Sequence, residues 1–419
     1  MLLLPLSAAV NVAAQATSPT PQPTPDVRLV TVDDAVSLFM QQNLQLVASR
    51  YDVDTAEAEK ITARLRPNPV ITLGASGLPV KFNGPLLQDD SFVYNVSQDL
   101  EIGGKRKKRI TVAEANAEAA RAQFEVAVWQ MTNDLKRKFY TVLLDRSLLD
   151  LARENQKTFD EIVQHTRDVF RSGEISGLDL ERLEVERIKF DTDVANGERD
   201  YQLALRDLRL ALGGDYRVME VEAAGSIEYY KEFDFTFGEM RDKAMGARPD
   251  LKAAQVAERA AEANIVLQNA LKIPNLTLSG GVEQVVAGGS NYNFGVGIAL
   301  PTSDRNQGER AKALIDKRRA ANQEQIITNQ ILSDVDKALI AVNVQKHRVD
   351  LYKSGVLTKV TRIQNATQEA LKAGENSTLD LLDAIRTRRE TLADFYQAIF
   401  DYQSALLDLE LATATTLPK

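Results

Sequence analysis

An internal repeat constrains this chain more than any other feature. At an offset of 205 residues, 31–74 align with 236–279 without a gap: Leu46 falls on Leu251, Ala56-Glu57-Ala58 on Ala261-Glu262-Ala263, Pro69 on Pro274, and Thr72-Leu73 on Thr277-Leu278. Tyr94-Asn95 then matches Tyr292-Asn293, and Gly104-Lys105-Arg106 resembles Gly308-Glu309-Arg310. The strongest match sets Gly173, Ser176, Leu178, Asp179 and Leu180 against Gly374, Ser377, Leu379, Asp380 and Leu381. Two copies of one unit follow, repeat one over 31–213 and repeat two over 236–415, joined by 214–235.

Within each copy the hydrophobic period changes in the same order. Residues 31–65 and 236–271 have helical spacing, and Arg66-Pro67-Asn68-Pro69 ends the first of them. Two strands come next, 70–77 and 92–102 in copy one, 275–286 and 292–300 in copy two. In the last, Tyr292, Phe294, Val296, Ile298 and Leu300 face one side and Asn293, Gly295, Gly297 and Ala299 the other. Phe92, Tyr94, Val96 and Leu100 repeat the pattern, with Asn95, Ser97 and Asp99 opposite. About ten tilted residues cross roughly 25 Å, the apolar height of a membrane barrel wall. From 109 to 171 there is no Pro or Gly, and Leu135, Val142, Leu149, Val163 and Phe170 sit on a seven-residue grid broken at Gln156. Copy two carries Val335, Val342, Val349, Val356, Ile363 and Ala370 on the same grid. Such spacing argues for helices supercoiled on neighbours, and about 65 helical residues span near 100 Å. Returning helices 176–213 and 377–413 complete each unit. The fold class is mainly α with a minor transmembrane β part, a duplicated helix-strand-strand-helix-helix unit. Four strands cannot close a barrel, and a membrane leaves no strand edge unpaired, so several chains must share one barrel.

The remaining sequence narrows location and chemistry. Residues 1–16 read as a signal peptide, with an apolar stretch closing on Ala14-Gln15-Ala16. Residues 17–30 follow as a linker with Pro at every second position from Pro19 to Pro25. No window beyond them offers the roughly 18 apolar residues of a membrane helix. Zero cysteines exclude disulfides, a thiolate metal site and a lipidated Cys anchor. His165 and His347, the only histidines, read as surface or packing residues, so no metal site and no cofactor are expected. A net charge of −8 argues against nucleic acid as a partner. No Ser-His-Asp set stands out, and no phosphate loop beyond Gly103-Gly104-Lys105, so the chain does not read as an enzyme.

The duplicated order, with its Gly-x-x-Ser-x-Leu-Asp turns, resembles the TolC family of outer-membrane efflux proteins over residues 27–415. Arg66-Pro67-Asn68-Pro69 and Leu100-Glu101-Ile102-Gly103-Gly104-Lys105-Arg106 further resemble its heavy-metal-efflux, CzcC-like branch. The resemblance implies a homotrimer: a 12-stranded outer-membrane β-barrel continuous with an α-helical barrel of coiled-coil hairpins reaching into the periplasm. It implies as partners a periplasmic adaptor protein and an inner-membrane pump of the resistance-nodulation-division type. A conduit for drug efflux or type I protein secretion is an alternative, because the sequence carries no substrate signature. A periplasmic coiled-coil rod is another, explaining the heptads but not the paired strands.

Three groups of residues are singled out. The turns at Gly173, Ser176 and Leu178 and at Gly374, Ser377 and Leu379 are expected at the periplasmic tip that meets the adaptor, each Gly ending one helix and each Ser capping the next. Asp380 and Asp383 share one helix face. Both match the aspartates that ring the periplasmic entrance in this family, and Asp179, the copy-one counterpart of Asp380, is expected at the same ring, while Asn376 stands where members can carry a basic latch residue. Lys105, Arg106, Lys107, Lys108 and Arg109, five basic residues in a row just below a strand end, are expected either to snorkel to lipid phosphates at the membrane face or to form a solvated helix start.

Overall fold

The computed structural model describes residues 28–76, 91–173, 176–214, 220–227, 235–286, 288–373 and 375–416. The signal peptide, linker residues 17–27 and Gly374 lie outside the described residues. Copy one runs β1 (Arg28–Val30), α1 (Val32–Gln42), α2 (Leu44–Arg64), β2 (Val70–Ser76), β3 (Ser91–Leu100), α3 (Lys105–Arg171) and α4 (Gly177–Leu212). After β4 (Val221–Ala223), copy two runs α5 (Phe237–Ala247), α6 (Pro249–Leu271), β5 (Leu276–Val285), β6 (Gly289–Ile298), α7 (Gln307–Leu351), a π turn (Tyr352–Val356), α8 (Leu357–Lys372) and α9 (Thr378–Thr413).

The single opening helix expected in each copy is two helices. In copy one the break is Asn43, whose backbone N–H closes α1 on Phe39 O at 3.0 Å and whose Oδ1 accepts the N–H of Leu46 at 2.8 Å to open α2. Its Nδ2 also donates to Ala211 O at 2.7 Å, tying the break to the end of α4. Gly213 ends α4 at φ +85, where a Cβ would meet Asn43 Cα at 2.6 Å, so the close approach requires glycine. In copy two Arg248, 205 positions on, takes the place of Asn43, and Pro249 at the first helical position keeps Arg248 extended. Residues 28–30, expected in the linker, instead pair as β1 in parallel with β4 of the connecting segment. That ladder is too short to show any period.

At 67 residues, α3 spans about 100 Å. It packs against α2 and α6 toward the strand end and against α4 and α9 farther along, and α6 and α9 are copy-two elements, so the copies interlock. The main core gathers Leu135, Phe139 and Val142 of α3, Leu208 and Leu212 of α4, Val335 and Leu339 of α7, and Ile399 and Tyr402 of α9. The seven-residue grid holds through Leu135, Val142, Leu149 and Val163 in α3 and through Val335, Val342 and Val349 in α7, all buried. Beyond that it fails. Phe170 and Ile363 are exposed, and after the π turn the buried positions are Val360 and Gln364. In α8 the physical reason is Gly355 at φ +111, whose turn rotates the helix and takes its seam off the grid.

Asp145 on α3 is half-buried beside the α4 helix, and burial, helped by the charge of Asp200, pushes its carboxyl up to about 6. The folded state therefore binds the proton more tightly than the unfolded chain. Stability from this site is complete below pH 4, declines as pH rises to about 6, and stays lower above. Asp145→Asn should raise stability at pH 7.5 by about 1–2 kcal/mol, after discounting for solvent screening, and change nothing at pH 3.5. Denaturation of the detergent-solubilised protein at both pH values checks this.

Candidate functional site

The four longer strands form one antiparallel sheet in the order β2-β3-β5-β6. Its register sorts the side chains by face, because residues directly opposite share a side. Leu73, Tyr94, Val282 and Tyr292 form one cross-strand row, Ile71, Val96, Gly280 and Phe294 the next, and Leu100, Leu276 and Ile298 another. The other face carries Thr72, Asn95, Gly281 and Asn293, then Ser97, Ser279 and Gly295, then Asp99, Thr277 and Gly297. The apolar face is bare: Phe294 is 88% exposed, Tyr292 74% and Leu73 71%. A sandwich strand would bury that face, whereas a barrel in lipid turns it outward and keeps the polar face for the lumen. β2 and β6 each leave one edge unpaired by any described strand. Among the described residues, no helix is long and apolar enough to cross a membrane.

At the opposite end of the helices, two turns lie side by side. Phe159, Ile162 and Val163 of α3, Leu183 and Phe190 of α4, and Leu381 and Ile385 of α9 form a separate core there, with the Phe159 and Phe190 rings stacked at 4.4 Å. Arg389 of α9 reaches Asp193 of α4 at 2.6 Å, and Arg388 reaches Glu154 of α3 at 2.9 Å, so the two hairpins are bound to each other. Gly173 closes α3 at φ +83, and Ser176 Oγ accepts the N–H of Leu178 at 3.2 Å. Leu178 and Leu379 stand exposed at matching places. Ser377 and Asp380 form a reciprocal capping box: Ser377 N and Oγ donate to Asp380 Oδ2 at 3.1 and 2.8 Å, and Asp380 N donates to Ser377 Oγ at 3.3 Å. Asp383 pairs with Arg386 at 2.7 Å, both exposed. Both carboxylates on this face thus have local partners that the sequence reading did not foresee. The Asp179 side chain lies outside the described residues. Ser377→Ala should weaken the start of α9 by about 1 kcal/mol, read as faster amide exchange in the first turn of α9 with the core of that helix unchanged.

Part of the basic run at the start of α3 is engaged within the chain, while Arg106 and Lys107 remain exposed. Lys105 is buried with Nζ on Asn275 Oδ1 at 2.5 Å. Arg106 donates to Arg64 O at 2.8 Å, and Arg109 to Ala63 O at 3.2 Å and Leu65 O at 3.0 Å. These are orphan carbonyls at the end of α2, where the helix dipole favours cations. Arg109 also grips Glu101 with both terminal nitrogens, at 2.5 and 3.0 Å, and that hydrogen bonding, opposed by burial and helped by the charge of Arg109, holds the Glu101 carboxyl below its usual range. Lys108 reaches Gly103 O at 3.2 Å, and Lys107 is exposed. His165 and His347 are both exposed on long helices.

This arrangement joins a sheet with one bare apolar face to a helical body whose longest helix spans about 100 Å, and the sequence profile of the outer membrane efflux proteins matches it twice, over residues 35–214 and 240–415. The chain belongs to the outer membrane efflux protein family. The chain is therefore an outer-membrane protein extending into the periplasm. It is similar to the cobalt-zinc-cadmium resistance protein CzcC of Cupriavidus metallidurans, 27% identical over 85% of this chain and 84% of that one. It also resembles the cation efflux system protein CusC of Escherichia coli K12, at 23% identity over 80% of this chain and 74% of that one. A solved CusC structure superposes with TM-score 0.74 at 20% identity, covering 91% of each chain, and the Campylobacter jejuni CmeC outer membrane channel with 0.76 at 16%, covering 91% of this chain and 85% of that one. At these identities the superpositions speak for the fold alone.

Proposed function

We propose that three copies of this chain form the outer-membrane duct of a tripartite efflux assembly and pass heavy-metal cations outward without chemical change. The sheet carries this reading: an exposed apolar face and two edges unpaired by any described strand call for other copies beside it in a membrane. Three such sheets edge to edge give about twelve strands, within the barrel range, and the hairpins continue the wall into the periplasm. The tips at Gly173, Ser176 and Leu178 and at Gly374, Ser377 and Leu379 meet a periplasmic adaptor, Leu178 and Leu379 offering it apolar contact, and an inner-membrane pump of the resistance-nodulation-division type feeds the duct. Asp179, Asp380 and Asp383 ring the entrance. Arg386 only partly offsets that ring, because an exposed ion pair is weak. The metal cargo is read from relatives named for cobalt, zinc and cadmium resistance and for cation efflux.

Deletion of the gene tests the cargo. Growth should fail on zinc, cobalt or cadmium while tolerance of lipophilic drugs is unchanged; the reverse result would assign the duct to drugs. Mass measurement in mild detergent tests the assembly. A monodisperse monomer, or a protein that stays soluble without detergent, would overturn the shared barrel and leave a periplasmic rod.

A further inference from the structure

Among the described residues of the four strands just two side chains are charged, and both are acidic: Asp99 on β3 and Glu283 on β5. The register sets both on the polar face. Asp99 lies opposite Thr277, and Glu283 opposite Val93 and Asn291. They stand at different heights, six residues apart along β5, or about 20 Å. Asp99 is next to the strand end that leads into α3, and Glu283 is two residues from the β5–β6 turn.

Each carboxylate is held by hydroxyls of the same face. Thr277 Oγ1 donates to Asp99 Oδ1 at 2.5 Å, and Ser91 Oγ donates to Glu283 Oε1 at 2.7 Å while also bonding Ser76 Oγ at 2.6 Å. Around them the face carries mainly amides, hydroxyls and bare backbone, with Asn95, Asn291 and Asn293 beside Gly295 and Gly297, and Val70, Val93 and Val285 as its apolar members. Basic side chains that follow β3 are turned elsewhere, Lys105 to Asn275 and Arg109 to Glu101 and the end of α2.

We infer that Asp99 and Glu283 are specificity-determining residues of the barrel, two carboxylate levels that make its lumen favour cations over anions independently of the periplasmic tips. The inference rests on the proposed trimeric duct, in which each level holds three carboxylates. Low-dielectric walls focus their field into the water of the lumen, and rings of Asp or Glu favour cations in pores. At 0.15 M salt the Debye length is about 8 Å, shorter than the separation of the levels, so each acts on passing ions largely alone.

The purified full-length protein in planar bilayers under a potassium chloride gradient tests this through its reversal potential. Wild type should favour potassium, and Asp99→Asn with Glu283→Gln should lower the potassium-to-chloride ratio about threefold or more. Each single variant should give part of that change, which keeps the test usable if the double variant inserts poorly. Lanthanum ions on the side of the strand turns should block wild type and Asp99→Asn, and block Glu283→Gln more weakly. Conducting channels whose selectivity and lanthanum block are unchanged in all three variants would overturn the inference and leave the duct intact. A selectivity that moves with Asp380→Asn and Asp383→Asn alone would also overturn it. A wild-type protein that forms no channels would defeat the duct reading itself.

Discussion

Phe294→Arg should abolish the proposed trimer in the outer membrane. Phe294 lies mid-strand on the apolar face, 88% exposed, in the row of Ile71, Val96 and Gly280. A guanidinium at the midplane of a lipid-facing strand costs about 2–4 kcal/mol, and threefold symmetry would apply that cost three times. At about 1.4 kcal/mol per factor of ten, even one copy shifts insertion roughly 30-fold or more. Asn293→Arg is the control. One residue away, its side chain belongs to the face with Asn95 and Gly281, so the same charge enters the lumen and the trimer should persist. Heat-resistant trimer in the outer-membrane fraction reads both. Equal loss from the two variants would show that position along the strand, and not face, decides, and the assignment of lipid and lumen sides would fall with it.

Much of the site was legible because a strand in lipid and a strand in water differ in sequence. Tyr292, Phe294, Val296 and Ile298 alternate with Asn293, Gly295 and Gly297 without interruption, and the register leaves every one of those large side chains exposed. Features set by single residues were less visible. Asn43 resembles any polar helix residue until its amide is seen closing one helix, opening the next and holding a third. The break at its equivalent Arg248 was missed as well, although Pro249 disfavours helix at the residue before it. Gly355 sits within the valine grid without disturbing its arithmetic, yet its left-handed conformation shifts the seam of α8. The internal contacts of the basic run were hidden for a related reason: a charge count marks the cluster, whereas the backbone carbonyls that Arg106 and Arg109 satisfy carry no sequence mark.

A large loss of stability should come from Arg248→Ala at the junction of α5 and α6. Its guanidinium is buried at the junction of four helices. Nε and Nη2 donate to Asp250 at 3.0 and 2.6 Å, Nη1 to Asp334 of α7 at 3.0 Å and to Ala412 O of α9 at 3.4 Å, and the group lies 5.1 Å from the Trp129 ring of α3. Truncation leaves two partly buried carboxylates facing each other without the cation between them, at about 3–5 kcal/mol by the usual cost of breaking a buried pair. Asp334 is 30% exposed, which draws the expected value toward 3. Lost packing alone would give a different pattern. Arg248→Met restores most of the volume over Trp129 and none of the charge, so it should remain nearly as unstable as Arg248→Ala. Adding Asp334→Asn to Arg248→Met should then recover at least about 1 kcal/mol, because it removes one of the two uncompensated charges. Denaturant unfolding of the detergent-solubilised protein measures all three. Full stability in Arg248→Met would mean that Arg248 acts as a spacer over Trp129, and that the carboxylates of Asp250 and Asp334 find water when it is gone.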